Sequence, residues 1–527
     1  MFKNYMMMAL RNIKKHKAYS FITIIGLAIG IAVCILIFLF VEYELGFDSH
    51  VEGKEHIYRV VTDIERAEGK SYAGGTPFPT AAAMRSDFPE LEQTTQIYRD
   101  TDVLVVGGGP AGIGAALAAA RNGARTILLE RFGYLGGLAT GGLVLCIMPM
   151  SDGTNEQQIA GICQEIIDRL DDVGAAVHPR KEDLGSSDRK LTDYWRRYPF
   201  TVIGGRIVLS AQVDPEILKC ILNDMTEEAG VELLLHSLGC KAIVDGNRIK
   251  GVFFESKSGR QAILAKTVID TTGDGDIFYS AGAAFGGMPK SDQRAAKLSF
   301  TFRFSRVDNN RFFEFKETER TKYTELMQKC TEKGGFIHAI PCTPDDVLWF
   351  NNQLSDFSGL DVKDLTQVEV MGRKRMRITY DFFKKNVPGF ENCYLMDTAT
   401  QTGVRCTRRL TGEYMVTAED IESGVVHEDT ILEAPSFIAP VTKKPHIYVP
   451  YRCLVPNKVD NLLAAGRCVS ADEMAINILS PIQFCIGTGQ AAGAAAAMAI
   501  KEGITPRNVN YSKLQECLIS QGVLINT

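Results

Sequence analysis

Residues 102–106 read DVLVV, a short β-branched run that breaks into Gly107-Gly108-Gly109-Pro110-Ala111-Gly112 and continues as an alanine-rich stretch of helical character. This strand–turn–helix pattern constrains the fold more than any other part of the chain. In GxGxxG, Gly107 permits a tight turn, Gly109 lets the backbone approach a pyrophosphate, and Gly112 lets helix and strand pack closely. Pro110 and Ala111 then open the helix, whose unpaired N–H groups and positive dipole end face the phosphates. The motif alone is weak evidence. It is strengthened by a second strand, ARTILLE, that ends on Glu130 about 20 residues on, where an acid accepts hydrogen bonds from ribose hydroxyls. The chain is therefore expected to bind a dinucleotide.

Further segments fit the same α/β architecture. ERFGYLGGLATGG (130–142), with Arg131 and Gly137, is a glycine-rich loop able to wrap a cofactor. A helix opens at Asp214-Pro215, an N-cap followed by proline in the first turn. VELLLHS and KAIVDGNRIKGVFFES read as a strand and a hairpin turning at Asp245-Gly246. AKTVIDTTGDGD (265–276) is a strand ending in a glycine-rich turn, and NLLAAGR (461–467) leads to a small-residue helix, IQFCIGTGQAAGAAAAMAIKEG. The glycines of GTGQAAG (487–493) resemble a second cradle, but no strand precedes them, so they are expected to pack a helix. The residues FTFRF (300–304) read as a strand, 364–386 as a long helix capped at Asp364, and the polar stretch 307–335 as a lid or partner surface.

The first hundred residues are of another kind. SFITIIGLAIGIAVCILIFLFV (20–41) carries no charge and would span about 33 Å as a helix, enough to cross a bilayer. Arg11, Lys14, Lys15 and Lys17 precede it and Glu42, Glu44 and Asp48 follow. The positive-inside rule then places the N-terminus in the cytoplasm and the remainder outside. The 13 cysteines are scattered singly, without a CxxC pair, which is the usage of a reducing compartment. These two inferences conflict. Either the membrane segment and the domain after it are a genuine fusion, or the N-terminal part is a misjoined piece of another gene and the remainder is cytoplasmic.

Residues 1–99, from MFKNYMMMALRNIKKHKAYS through TPFPTAAAMRSDFPELEQTTQIYR, resemble the N-terminal fragment of macrolide-exporter-type ABC-transporter permeases. Such permeases carry three further membrane helices, and no second apolar run of that length is present here. Residues 101–510 resemble the bacterial FAD-dependent oxidoreductases of the two-dinucleotide-binding-domain group. The carriers are GGGPAG, ERFGYLGGLAT, VDPEILK, IDTTGDGD, TGVRCTRRLTGEY (402–414), VPYRCLVP (449–456) and NLLAAGRCVS. The resemblance implies FAD as cofactor and a glutathione-reductase-like, Rossmann-type α/β domain with an inserted α+β substrate domain. It implicates Gly107, Gly109, Pro110, Ala111, Gly112, Glu130, Arg131, Gly137, Gly273, Asp274, Gly466 and Arg467 in holding the cofactor. It also brings in a helix opening near Ile486 and Gly487, aimed at the flavin. Cys406 stands where such proteins usually carry Glu.

The expected layout is an N-terminal segment with a membrane helix (1–42) and a permease fragment (43–99). An FAD-binding domain comes next, assembled from 101–150, 205–285 and 445–510. Residues 151–204 and 286–444 form the substrate domain, and 511–527 a C-terminal segment. The expected activity is two-electron, hydride-transfer chemistry between a small-molecule substrate and flavin, with an unidentified second electron donor or acceptor. Arg405, His338 and His446 are the catalytic candidates. Arg408 and Arg409 are possible anion clamps, and Tyr451 and Arg452 possible lining residues. No metal site is expected. A net charge of −5 and the lack of basic runs tell against nucleic-acid partners, including an RNA-modifying role. The alternative is a membrane-anchored, permease-like component with the flavoprotein part as passenger.

Overall fold

The computed structural model describes residues 96–290, 293–435 and 446–525, together with Met6 and the short strands 62–66 and 69–73. It divides into two units, Met1–Thr94 and Thr95–Thr527. In the first, Thr62–Arg66 and Gly69–Ala73 pair antiparallel, with Thr62 opposite Ala73. The apolar segment 20–41, and with it the expected membrane crossing, lies outside the described residues. Among the described residues no helix is long and apolar enough to cross a membrane.

The second unit is built on a seven-stranded mixed sheet. Its elements in chain order are β1 (Gln96–Val106), α1 (Pro110–Arg121), β2 (Thr126–Leu129), α2 (Pro215–Glu228), β3 (Glu232–Leu234), β4 (Leu238–Asp245), β5 (Arg248–Ser256) and β6 (Gly259–Asp270). The strand order is β3-β2-β1-β6-β5-β4. Strands β3, β2, β1 and β6 run parallel, whereas β5 and β4 fold back as an antiparallel meander. A last strand, Leu462–Ala464, pairs parallel with the final three residues of β6. Val103, Leu104 and Val105 are fully buried, as expected of a parallel strand covered on both faces.

Two local details differ from the sequence reading. Strand β1 starts at Gln96, so residues 96–99, expected as the end of the permease-like segment, are part of this sheet. The meander turns on Gly246-Asn247, one residue later than expected, because Asp245 pairs with Arg248.

The small-residue helix Ile482–Glu502 crosses α1 at close range. A Cβ on Gly489 would lie 2.0 Å from the Ala111 carbonyl oxygen, and one on Gly493 2.1 Å from that of Ala115. GTGQAAG is thus a packing helix. Its contacts join α1, α2, the helix Ile162–Asp172 and the C-terminal helix Tyr511–Ser520 in one core. Part of the stretch assigned to the inserted domain therefore belongs to the dinucleotide-binding core.

A second, antiparallel sheet of five strands lies in the insertion. Its central strand, Leu298–Ser305, alternates Phe300, Phe302 and Phe304 with Ser299, Thr301, Arg303 and Ser305. The phenylalanines pack against the long helix Val362–Asn386. That helix is capped by Asp361, which accepts from Lys363 N–H (2.7 Å), and not by Asp364. The polar stretch expected as a lid or partner surface folds as two helices, Asn309–Thr318 and Arg320–Glu332, which bury Phe312, Phe313, Phe315, Met327 and Cys330.

Candidate functional site

Where β1 ends, Gly107 adopts φ +107°, and a Cβ there would lie 2.6 Å from the Thr271 carbonyl oxygen, so only glycine fits the turn. Gly109 is different. A Cβ on it would meet nothing within 4 Å. No neighbouring protein atom demands glycine at that point; the space in front of it is open. That space belongs to a cleft that runs along the C-terminal ends of β1, β2 and β6. Gly107, Gly109, Pro110 and Ala111 form one wall of it, and the start of α1 faces it. Gly112 lies beneath this wall, its Cα against the Gly107 carbonyl.

Glu130 comes directly after β2 and is buried. The Gly108 N–H donates to its Oε2 (2.6 Å) and the Phe132 N–H to its Oε1 (2.8 Å). Burial pushes this carboxyl up; the two backbone donors and the neighbouring Arg131 offset part of that rise. Arg131 and Phe132 line the cleft beside it, with the Arg131 guanidinium 4.8 Å from the Phe132 ring centre. Gly137 closes over Gly109, whose Cα is 2.9 Å from a Cβ built there.

The TTGDGD turn and the AGR segment form the middle of the cleft. Arg467 lies across Gly273, and its Nη1 donates to Asp274 Oδ1 (2.9 Å). Burial lowers the Arg467 pKa, but the Asp274 carboxylate more than restores it. Asp270, which the sequence reading did not single out, sets the turn. Its fully buried carboxylate accepts from Thr272 N–H (3.0 Å), Thr272 Oγ1 (2.7 Å), Ile277 N–H (2.9 Å) and Phe278 N–H (2.8 Å). Its position as the last residue of β6, before the glycines, was the available signal.

The far end of the cleft is lined by Gln401, Thr402 and Val404 and by Ser480, Ile482 and Cys485. Thr402 and Val404 lie in the TGVRCTRR motif, whereas Gln401 and Ser480 carry no sequence signal. Burial pushes the Cys485 thiol up to about 12, so it stays protonated. The helix expected to open near Ile486 and Gly487 opens at Ile482 instead, with Pro481 as N-cap. Ile486 consequently packs its carbonyl on Gly114 and Gly487 sits against Leu432, both outside the cleft.

The catalytic candidates fall apart spatially. His338 is exposed, beyond the residues that line the cleft. The His446 imidazole is bracketed by Asp152 (3.2 Å from Nε2) and by Glu433 on Nδ1, again off the cleft. Tyr451 is fully buried and donates to the Pro506 carbonyl (2.8 Å), and Arg452 pairs with Asp429 (3.0 Å). Neither lines the site. Arg408 donates to Asp276 (2.9 Å) and Arg409 to the Ala471 carbonyl (2.8 Å), so both tie loops together. Arg405 comes directly after Val404 and donates from Nη1 to the Lys297 carbonyl (3.2 Å). Among the described residues no group of His, Cys, Asp and Glu is arranged to hold a metal ion.

The residues present fit FAD. An open cradle at Gly109, the helix start beside it and a buried acid at Glu130, all on one cleft, match what an adenine dinucleotide requires.

Comparison with known proteins agrees. Residues 102–518 match the FAD dependent oxidoreductase family. Residues 20–132 match the MacB-like periplasmic core domain, so the two matches overlap at the first strand and cradle. No curated protein matches the sequence. Similar solved structures include a geranylgeranyl bacteriochlorophyll reductase-like protein from Thermoplasma acidophilum, at 15% identity and TM-score 0.39, covering 81% of this chain and 84% of that one. The p-nitrophenol 4-monooxygenase PnpA of Pseudomonas putida DLL-E4 aligns at 14% identity and TM-score 0.41, covering 80% and 84%. The myxobacterial chondrochloren halogenase CndH aligns at 12% identity and TM-score 0.42, covering 80% and 78%. At these values they say nothing of the reaction catalysed here.

Proposed function

The chain belongs to the FAD-dependent oxidoreductase family, and from that premise we propose that it carries out two-electron, hydride-transfer chemistry on a small molecule bound at the 401–404 and 480–485 end of the cleft. FAD supplies the electron-accepting and electron-donating ring. The chain's own residues orient it. Glu130 offers carboxylate oxygens to the ribose, and the start of α1 offers N–H groups to the pyrophosphate. Arg467 is held on the cleft wall by Asp274. The observation that carries the reading is the open space at Gly109, a cradle that nothing in the protein fills. Cys485 stays a thiol at the far end and packs there, which favours direct transfer over a cysteine relay.

The test is to purify the full chain in mild detergent and record its visible absorption, then add candidate reductants without oxygen. The two-banded spectrum of oxidised flavin, bleached by a substrate and restored by an acceptor, is the expected result. A folded protein that is colourless and takes up no added FAD would refute it.

A second reading rests on the MacB-like match: residues 20–41 anchor the enzyme in a membrane. Fractionation of cells expressing the full chain tests this, with recovery in the membrane pellet expected and recovery in the soluble fraction opposed.

A further inference from the structure

The central strand of the inserted sheet, Leu298–Ser305, is buried along its whole length. An antiparallel strand usually turns its polar residues to water, and a strand covered on both faces is usually apolar throughout. This strand does neither. Phe300, Phe302 and Phe304 enter the core against the long helix, while the opposite face carries Thr301 and Arg303, 0% and 1% exposed.

Antiparallel pairing brings two more residues to that face. Trp349, on the neighbouring strand Leu348–Leu354, stands directly opposite Arg303, and Asn351 opposite Thr301. Side chains at opposite positions share a face, with Cβ atoms about 5 Å apart. Thr301 Oγ1, Arg303 Nη1, Trp349 Nε1 and Asn351 Oδ1 are all buried there, and none has a hydrogen-bond partner among the described residues. The rest of the Arg303 guanidinium is engaged, since Nε (3.0 Å) and Nη2 both donate to Asp397. A few unpartnered polar atoms occur in any fold. Four at adjacent register positions mark a surface prepared for a ligand.

This surface adjoins the far end of the cleft through the segment after Asp397. The Ala399 N–H donates to the Thr301 carbonyl (2.8 Å). Gln401 follows two residues on, its Cα within about 7 Å of that of Ala399, and lines the cleft. Its Nε2 is likewise buried and without a partner among the described residues. The backbone on either side of it is pinned: the Thr400 N–H donates to the Gly141 carbonyl (2.8 Å) and Thr402 Oγ1 to Glu369 Oε1 (2.6 Å).

We propose that Thr301, Arg303, Trp349 and Gln401 form the recognition surface for the substrate, and that the substrate is an uncharged molecule bearing hydroxyl or carbonyl oxygens. Arg303 Nη1, Trp349 Nε1 and Gln401 Nε2 can only donate, so the ligand presents acceptor oxygens to them. The Thr301 hydroxyl both gives and accepts, and Asn351 Oδ1 calls for a hydroxyl on the ligand. A carboxylate or phosphate does not fit. Asp397 already balances the guanidinium, and a further anion would leave a net charge beside a buried group. Calling the ligand a substrate rests on the flavoenzyme reading; the polar surface itself does not.

The test uses the FAD-loaded full chain carrying Trp195→Phe, which leaves Trp349 as the sole tryptophan. Glycerol, hydroxyacetone and D-glucose are titrated against sodium acetate and sodium phosphate at constant ionic strength, following Trp349 fluorescence and the flavin difference spectrum. A saturable change with an uncharged compound, and none with either anion, is the expected result. In Thr301→Val and, independently, in Trp349→Phe read by the flavin spectrum, the affinity falls about tenfold. Each ligand-free variant melts at or above its parent's temperature, because a buried polar atom without a partner has been removed. Two variants guard against one that fails to fold. No saturable response to an uncharged compound, saturation by an anion instead, or equal affinity in both variants overturns the proposal. A lower midpoint in both variants with affinity unchanged would assign these atoms to buried water and also overturn it. So would weaker uptake of FAD by both apoproteins, which would assign them to the flavin ring. A colourless protein that takes up no added FAD, but whose Trp349 fluorescence still saturates with an uncharged compound, would sink the cofactor reading and keep the site.

Discussion

Arg467 lies across Gly273 and donates to Asp274 Oδ1 at 2.9 Å, which locks the AGR segment onto the TTGDGD turn at the middle of the cleft. Thr407 donates to the same Oδ1 (2.8 Å), so one carboxylate oxygen joins three separate chain segments. Arg467→Met leaves Asp274 in the wall without its cation. The loss of one partner of such a pair costs about 3 kcal/mol. FAD affinity is expected to fall by about 100-fold, read by fluorescence titration of the apoprotein with FAD.

Gly107 and Gly109 stand two residues apart and are expected to fail differently. Gly109→Ala puts a methyl group into the open cradle, where no protein atom lies within 4 Å. The apoprotein should melt at the wild-type temperature, and FAD affinity should drop by about tenfold or more. Gly107→Ala forces a Cβ against Thr271 at φ +107°. It should lower the apoprotein's stability by about 1–3 kcal/mol, measured by denaturant titration.

Gly493 lets the helix Ile482–Glu502 touch α1, since a Cβ would fall 2.1 Å from the Ala115 carbonyl oxygen. Gly493→Leu must part the two helices. A destabilisation of about 3 kcal/mol or more is expected, with loss of bound flavin as a consequence, because α1 carries the cradle. Calorimetry and flavin content measure the two effects separately.

Asp102 provides the pH dependence. Burial alone would raise its carboxyl, but bonds from Lys266 and Arg125 prevail and hold it at about 2, against an ordinary 3.8. A depressed carboxyl stabilises the fold above the unfolded-state value, and this contribution is lost as the pH falls from 3.8 toward 2. Both cations are more than half exposed, so screening keeps the contribution below about 1 kcal/mol. Asp102→Asn should flatten the acid limb of a stability–pH curve, and added salt should shrink the difference.

His446 is expected to behave as a structural tie. Replacing it with Phe removes the link between Asp152 and the strand pair carrying Glu433. The thermal midpoint should fall while the flavin spectrum and flavin content stay unchanged. A normal midpoint with a sharply slower rate of flavin reduction by substrate would restore the catalytic role.

The cradle was legible because it is local. Gly107, Gly109 and Gly112, the strand before them and Glu130 after the second strand lie within about thirty residues, at spacings fixed by the geometry of one strand–turn–helix unit. The IDTTGDGD and AGR segments were legible for a similar reason, since each is a strand end carrying its own glycine turn. The helix start was misplaced by four residues because the glycines of GTGQAAG drew it to Ile486 and Gly487, past Pro481, which is the N-cap. His338 and His446 were chosen by residue type, and type says nothing of where a side chain lands.

The sequence by itself determined an FAD-binding α/β unit and a chemically unrelated N-terminal stretch, because period, turn residues and spacing are properties of short segments. Only the tertiary structure decided which arginines have acids and which do not. Arg303 and Asp397 are 94 positions apart. They meet because their strands pair antiparallel with these two residues in register. Whether a charge is paired depends on what the whole fold brings within a few ångströms of it, and no local pattern encodes that.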